Sequence, residues 1–392
     1  VKIVHVITRF IRGGADENTL LTCLAQARQG HEVTLVVGRD WHPQMCERLG
    51  TAVAFICLPS LVREINLLKD IQCLLQLRSL FRRLTPDVVH THESKAGILG
   101  RFAAYAARVP VIVHSVHILP FLNVGKFAAF SYETLERMAG WTTNLFVYVS
   151  PGMMEECRVR GIGASAGHEV IESGIDVGRF VTPPPPHDES SLLAPPNEGG
   201  GKPFVLLSLA VLEKRKGHSK FLPVFRKIVT ERPGTILLIA GDGNERPSLE
   251  AQTRDLTLER HVRFLGFRDD PESLLSIADV MIVCSEREGL PRAVVQAGIA
   301  GVPTVSTGLP GIERVVRHGE TGFIVPIEDI SAMKRAVVRL IDEPALLHRF
   351  RSGLAAVDFD AWSLKSTGTR MRGAYVAAIS AHAKPIDAVC KK

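Results

Sequence analysis

The stretch Cys284-Ser285-Glu286-Arg287-Glu288-Gly289-Leu290-Pro291-Arg292 decides how this chain folds. It follows an apolar, β-branched run, Val280–Ser285, and precedes helical spacing over Arg292–Ala300. A strand that runs into a glycine-bearing loop and then into a helix is the basic unit of a parallel α/β sheet. Gly289 and Pro291 make the loop tight, and the helix start then offers unpaired backbone N–H groups to an anion. Glu288 stands in that loop, placed to accept hydrogen bonds from hydroxyls. Gln296, eight residues on, falls near the start of the helix and reaches the same space.

Working outward, the same arrangement recurs. The strand Thr304–Ser306 ends in Thr307-Gly308-Leu309-Pro310-Gly311-Ile312-Glu313, and Thr235–Ala240 ends in Gly241-Asp242-Gly243. Each glycine loop alone is a weak signal. Their shared position at one edge of one sheet is the stronger one. The first strand of this half, Phe204–Leu209, leads into Leu212-Glu213-Lys214-Arg215-Lys216-Gly217-His218 on that same edge. Arg215 offers a bidentate fork and Lys216 a point charge, a pairing suited to a diphosphate.

The first half alternates strand and helix in the same way. Val1–Thr8, Glu32–Gly38, Ala52–Leu58, Val88–His92 and Val111–Val116 read as strands, with helices over Glu17–Gln29, Leu67–Leu84 and Lys95–Ala107. Arg12-Gly13-Gly14-Ala15 resembles a dinucleotide-binding turn, but the third glycine and the later strand-two acid are missing. Phosphate contact therefore fits better than dinucleotide binding. His92 leaves one strand end and His117 another, both facing the expected ligand cleft. Phe121–Met138 is rich in Phe, Leu and Ala, which fits core packing or a membrane-facing helix.

Composition narrows the class. The 392 residues suggest two or three domains, and 46% hydrophobic with 22% charged residues is ordinary for a globular protein. The net charge of +6 is a mild basic excess, suited to anionic ligands or an anionic membrane surface. With aromatics at 6% and no basic stripe, nucleic acid is not an expected partner. The seven cysteines form no C-x-x-C pair, and no cluster has metal-ligand spacing, so no metal and no cofactor is expected. No apolar run is long enough to span a membrane, and the N-terminus reads as a first strand.

Assembled, these stretches resemble the family-4 retaining glycosyltransferases, which have the GT-B fold. The most specific matches are Ser285–Val305 and Glu320-Thr321-Gly322-Phe323-Ile324-Val325-Pro326. The stretch His92–Arg101 is similar to members that build surface polysaccharides and lipid-linked glycans. The resemblance implies an α/β protein of two doubly wound Rossmann-like domains facing an interdomain cleft. Its domains would be 1–180 on the acceptor side, a Pro/Gly-rich linker or insertion at 181–202, and 203–358 for the nucleotide-sugar. A helix at 359–382 would cross back to the first domain.

By the same resemblance, His117, Lys216 and Glu288 would be catalytic. The donor, such as a UDP-sugar, would be held by Gly13, Gly14, Arg215, Gly243, Phe267, Arg268, Gly289, Leu290, Pro291 and Gln296. The acceptor, a glycan or lipid-linked glycan, would lie near His92, Glu93 and Ile118. The expected location is cytoplasmic, with peripheral contact at the inner face of the membrane. Three positions depart from the family pattern: Gln296 replaces a glutamate, Val211 an arginine and Ile118 a glycine. They leave open a non-catalytic or low-activity sugar-nucleotide-binding GT-B protein; a second alternative is another GT-B enzyme such as a nucleotide-sugar epimerase.

Overall fold

A computed structural model describes residues 1–11, 13–117, 119, 125–194, 201–288 and 290–382. Ile118 and Gly289, both expected at the site, lie outside the described residues, as does most of Leu119–Val124. The chain divides into two compact units, Val1–Gly174 with the chain from Ser363 onward, and Ile175–Trp362.

The first unit runs β1 (Lys2–Phe10), α1 (Gly14–Arg28), β2 (Glu32–Trp41), α2 (Pro43–Glu47), β3 (Ala54–Cys57), α3 (Leu67–Leu84), β4 (Val88–His92), α4 (Ser94–Ala107), β5 (Val111–Val116), α5 (Lys126–Gly140), β6 (Leu145–Tyr148), α6 (Pro151–Val159) and β7 (Gly167–Val170). Its sheet has the order β3-β2-β1-β4-β5-β6-β7, and each pairing is parallel. Alternate residues of β1 build the two faces. Val4 and Val6 pack toward α3 and α4, while Ile3 and Ile7 face the opposite layer. Asn66 caps α3 by accepting from Lys69 N–H, which stops the chain from fraying just where the amphipathic pattern begins.

The second unit continues with α7 (Gly178–Val181), α8 (Glu189–Leu192), β8 (Phe204–Leu209), α9 (His218–Glu231), β9 (Thr235–Ala240), α10 (Arg246–Asp255), β10 (Val262–Gly266), α11 (Pro271–Ile277), β11 (Val280–Val283), α12 (Arg292–Ile299), β12 (Thr304–Thr307), β13 (Gly322–Val325), α13 (Ala332–Asp342) and α14 (Pro344–Leu354). The sheet order is β10-β9-β8-β11-β12-β13, again all parallel. Leu206 packs on one face and Val205 and Leu207 on the other. Near-continuous apolar strands are what a parallel sheet covered on both faces requires.

The unit boundaries differ from those expected. Ile175, Phe180 and Leu192 are buried in the core of the second unit, so the chain belongs to that unit from Ile175 onward and not from the expected boundary after 180. The proline-rich composition hides the few apolar anchors that make this segment pack. At the other end, Phe359 and Trp362 stay with the second unit, and α15 (Leu364–His382) packs on the first through Met371, Ala374 and Tyr375.

Candidate functional site

In each sheet, strand order reverses between the first strand and the strand after the crossover, β1/β4 in one and β8/β11 in the other. Loops leaving the carboxyl ends of strands at such a point splay apart and leave room for a ligand. Gly13, Gly14, His92 and Glu93 stand at the ends of the strands of the first such point, and Arg215, Lys216 and Glu288 follow those of the second; Gly243, Phe267, Arg268 and His117 follow other strands.

In the second unit the loops after β8 and β11 are laced together. Lys216 Nζ donates to Glu288 Oε1 at 2.5 Å, and Arg215 Nη1 lies 4.0 Å from Glu288 Oε2. Ser285 Oγ donates to the same Glu288 Oε1 at 2.6 Å. Backbone contacts fix the geometry: Glu286 N–H donates to Arg215 O at 2.8 Å, and Thr307 Oγ1 donates to Ser285 O at 2.6 Å. Gly217 makes the approach possible. It sits at φ +72°, and a Cβ there would lie 2.0 Å from Cys284 O. Gly243 serves the same end, since its Cβ would lie 2.3 Å from Leu212 O. Below the loop, His218 Nε2 hydrogen-bonds Ser208 Oγ at 3.0 Å. Burial and the Lys216 charge push His218 down to about 4, so it stays neutral near pH 7.

The other expected donor residues separate into two groups. Leu290 packs on the core and Pro291 caps α12, with Gln296 one turn further, half-buried. Phe267 is exposed. Arg268 is committed elsewhere: its guanidinium is forked between Asp188 and Asp270, with N–O distances of 2.7 Å to each. That network fastens the 175–194 segment and raises the Arg268 pKa further.

In the first unit, Gly13 caps α1, and Gly14 is its first residue. A Cβ on Gly13 would lie 3.0 Å from Asp16 Oδ2. Asp16 was not singled out from the sequence, yet it is buried, and burial with help from the Glu93 charge raises it to about 7. Glu93 follows β4 at φ 59°, ψ 173°, a conformation nearly confined to glycine. Burial raises its pKa too, opposed by the Arg9 charge and a hydrogen bond to Thr8.

His92 and His117 belong to a larger histidine cluster. His5 on β1, His90 and His92 on β4, and Ser115 on β5 point to one face, because residues two apart share a side. Gln26 from α1 and Tyr375 from α15 complete the face. The single signal in the sequence was the alternation His90-x-His92. Gln26 and Tyr375 lie on distant helices and give none. One nitrogen from each of His5, His90 and His92 lies within 4.8 Å of the others, the spacing of a metal-ligand trio. All six of these ring nitrogens already take part in hydrogen bonds, so an ion would have to displace them.

Known proteins share this architecture. HepE of Anabaena, solved with UDP-glucose, superposes with a TM-score of 0.77 at 20% identity, covering 96% of this chain and 99% of that one. The fold is therefore GT-B. Two family profiles match, "Glycosyl transferase 4-like domain" over residues 13–174 and "Glycosyl transferases group 1" over residues 194–354, and the chain belongs to the group 1 glycosyltransferases. Its relatives include the Escherichia coli UDP-Gal:alpha-D-GlcNAc-diphosphoundecaprenol alpha-1,3-galactosyltransferase, 28% identical over 88% of this chain and 89% of that protein. Another is the Staphylococcus aureus capsular polysaccharide biosynthesis glycosyltransferase CapM, 25% identical over 72% of this chain and 75% of that one. These findings favour an enzyme of glycosyl transfer over the epimerase and binding-protein alternatives.

Proposed function

We propose that this enzyme transfers a hexosyl group, with retention, from a UDP-sugar to a lipid-linked glycan during surface-polysaccharide synthesis. The observation that carries the reading is the Lys216–Glu288 pair at the switch point of the second sheet. Cleaving a sugar–phosphate bond builds negative charge on the diphosphate and positive charge on the sugar ring. Lys216 and Arg215, fixed in advance by Glu288 and Glu213, stabilise the leaving group more as that charge develops. Glu288 and Gln296 accept or share hydrogen bonds from sugar hydroxyls. His117 is read as a further hydrogen-bond partner of a sugar hydroxyl, and Gly13 as an approach for phosphate oxygens. Two cations on the leaving group supply what a metal would otherwise supply, so we propose transfer without one.

The acceptor reading predicts a membrane-facing surface, and the first unit has a candidate. The layer α3–α4–α5 exposes Leu67, Leu68, Ile71 and Leu75 from α3, Tyr105 from α4, and Phe130, Met138 and Trp141 from α5 and its end. Leu68 is 81% exposed and Trp141 76%. Exposed Arg82 and Arg83 lie at the end of α3. Apolar stripes with aromatics and flanking arginines suit an anionic lipid surface. Among the described residues, no helix is long and apolar enough to cross a membrane.

The test is an assay with UDP-sugars and a polyprenyl-diphosphate glycan, with product anomers read by NMR. An α-linked product from an α-linked donor supports the reading. Donor turnover with inversion, or no selective UDP-sugar use, overturns it. Sedimentation with anionic vesicles tests the surface: Leu68→Glu with Trp141→Glu should abolish binding, and wild-type protein that fails to bind removes that part.

A further inference from the structure

The carbonyl of Lys216 lies outside the hydrogen-bond ladder of α9. The short turn Lys214–Lys216 ends at Gly217, whose φ of +72° breaks it from the helix. In a continuous helix the Lys216 carbonyl would accept from Lys220 N–H, four residues on. Here Lys220 N–H donates to Gly217 O at 3.0 Å instead. The Lys216 carbonyl accepts from the thiol of Cys284, with Sγ 3.2 Å from the oxygen. Cys284 is buried and directly follows β11.

The direction of this bond is fixed by its chemistry. A carbonyl oxygen only accepts, so the thiol donates its proton. Burial pushes Cys284 up to about 12, so that proton is present at neutral pH. Two further contacts run alongside. Glu286 N–H donates to Arg215 O at 2.8 Å, and Gly217 lies so close to Cys284 O that a Cβ would fall 2.0 Å from it. Those two use backbone atoms of Cys284 and Glu286. The thiol adds a side-chain contact, and it grips the residue whose ammonium meets Glu288. The strand before it, Val280–Val283, is apolar. One more apolar residue at 284 would fill the space but offer the carbonyl no proton, whereas cysteine is a small hydrophobe that carries a donor.

We propose that Cys284 is a positioning residue for the transfer: its thiol fixes the Lys216 carbonyl and so holds the Lys216 ammonium where the diphosphate departs. The proposal rests on the reading of Lys216 as the leaving-group cation. A lysine is a point charge on a flexible stem, so its aim depends on how its backbone and its tip are held. Glu288 and Cys284 hold it from opposite ends, Glu288 at Nζ and Cys284 at the carbonyl. A cation that drifts costs turnover more than donor binding, because the charge it stabilises develops as the sugar–phosphate bond breaks.

The first test is infrared spectroscopy of the S–H stretch, recorded as the difference between wild-type protein and Cys284→Ala. The band that the substitution removes should lie at the lowered frequency of a hydrogen-bonded thiol. A band at the frequency of a free thiol overturns the proposal. The second test is kinetic. Cys284→Ala should lower kcat roughly three- to tenfold with KM for the donor nearly unchanged. In a Lys216→Ala background the same substitution should change kcat by less than about twofold, since the group it positions is gone. An equal loss in both backgrounds marks a merely structural role and overturns the proposal, as does full activity of Cys284→Ala. If Cys284→Ala does not fold, Cys284→Ser supplies the same difference band. If Lys216→Ala leaves kcat intact, the leaving-group reading fails, while the thiol band still decides whether Cys284 holds the loop.

Discussion

Lys216 Nζ and Glu288 Oε1 are 2.5 Å apart, and the two residues come from loops that leave different strands of one sheet. On the proposed reading the pair joins a cation for the leaving group to a carboxylate for the sugar, and it ties the two loops together. Lys216→Ala should lower kcat about 10²- to 10³-fold, the usual effect of deleting one preorganised electrostatic contact. Glu288→Gln keeps the hydrogen-bonding shape and removes the charge that fixes Lys216. It should cost less than Glu288→Ala. Steady-state release of the nucleotide product checks both, and equal losses for the two glutamate variants would argue against a hydroxyl-binding role.

Glu93 holds a glycine-like backbone conformation, which costs about 1–3 kcal/mol in a residue with a side chain. Glu93→Gly should relieve that strain, so the melting temperature should hold or rise while activity falls. A variant that loses both stability and activity would show that the carboxylate is structural.

Stability should depend on pH with two opposite signs. His5 is depressed to about 4 from 6.5, so the unfolded chain binds more protons in that window. Its contribution is complete above about 6.5 and is lost as pH falls toward 4. Asp16 is raised to about 7 from 3.8, mainly by burial. Its contribution is complete below about 3.8 and is lost as pH rises toward 7. Asp16→Asn should therefore stabilise the protein at pH 8 by at most about 4 kcal/mol, with little gain at pH 4. Melting curves of both proteins across this range give the answer directly.

Arg101 Nη2 donates to Glu136 Oε2 at 2.5 Å, joining α4 to α5 with both side chains buried. Among the described residues Arg101 Nη1 has no hydrogen-bond partner, so the pair is imperfectly satisfied there. Arg101→Met should destabilise by about 3–5 kcal/mol, because it strands the Glu136 charge. Adding Glu136→Leu should restore much of the loss, and a denaturant double-mutant cycle would measure the coupling.

Much of the first layer of this account was readable in the chain. Leu67–Leu84, Val88–His92, Phe204–Leu209 and Ala332–Asp342 begin and end where apolar period and turn residues place them. β6, β7, β13, α10 and α14 did not declare themselves. The strands β6, β7 and β13 have only four residues each, too short for a period of two to stand out. Lys216 and Glu288 were visible because each follows a strand by a few residues, and loops at the strand ends of a switch point gather together whatever the rest of the fold does.

By itself the sequence determined the two α/β units, the parallel sheets and the loops that carry charge. These depend on local spacing, which a linear reading can see. Tertiary structure alone decided that Arg268 serves Asp188, that Ile175, Phe180 and Leu192 anchor their segment in the second core, and that Gln26 and Tyr375 meet His5 and His90. Tyr375 and His90 are 285 positions apart. Such contacts arise when buried polar groups must find partners inside a packed core, and that pairing is set by which helix covers which strand.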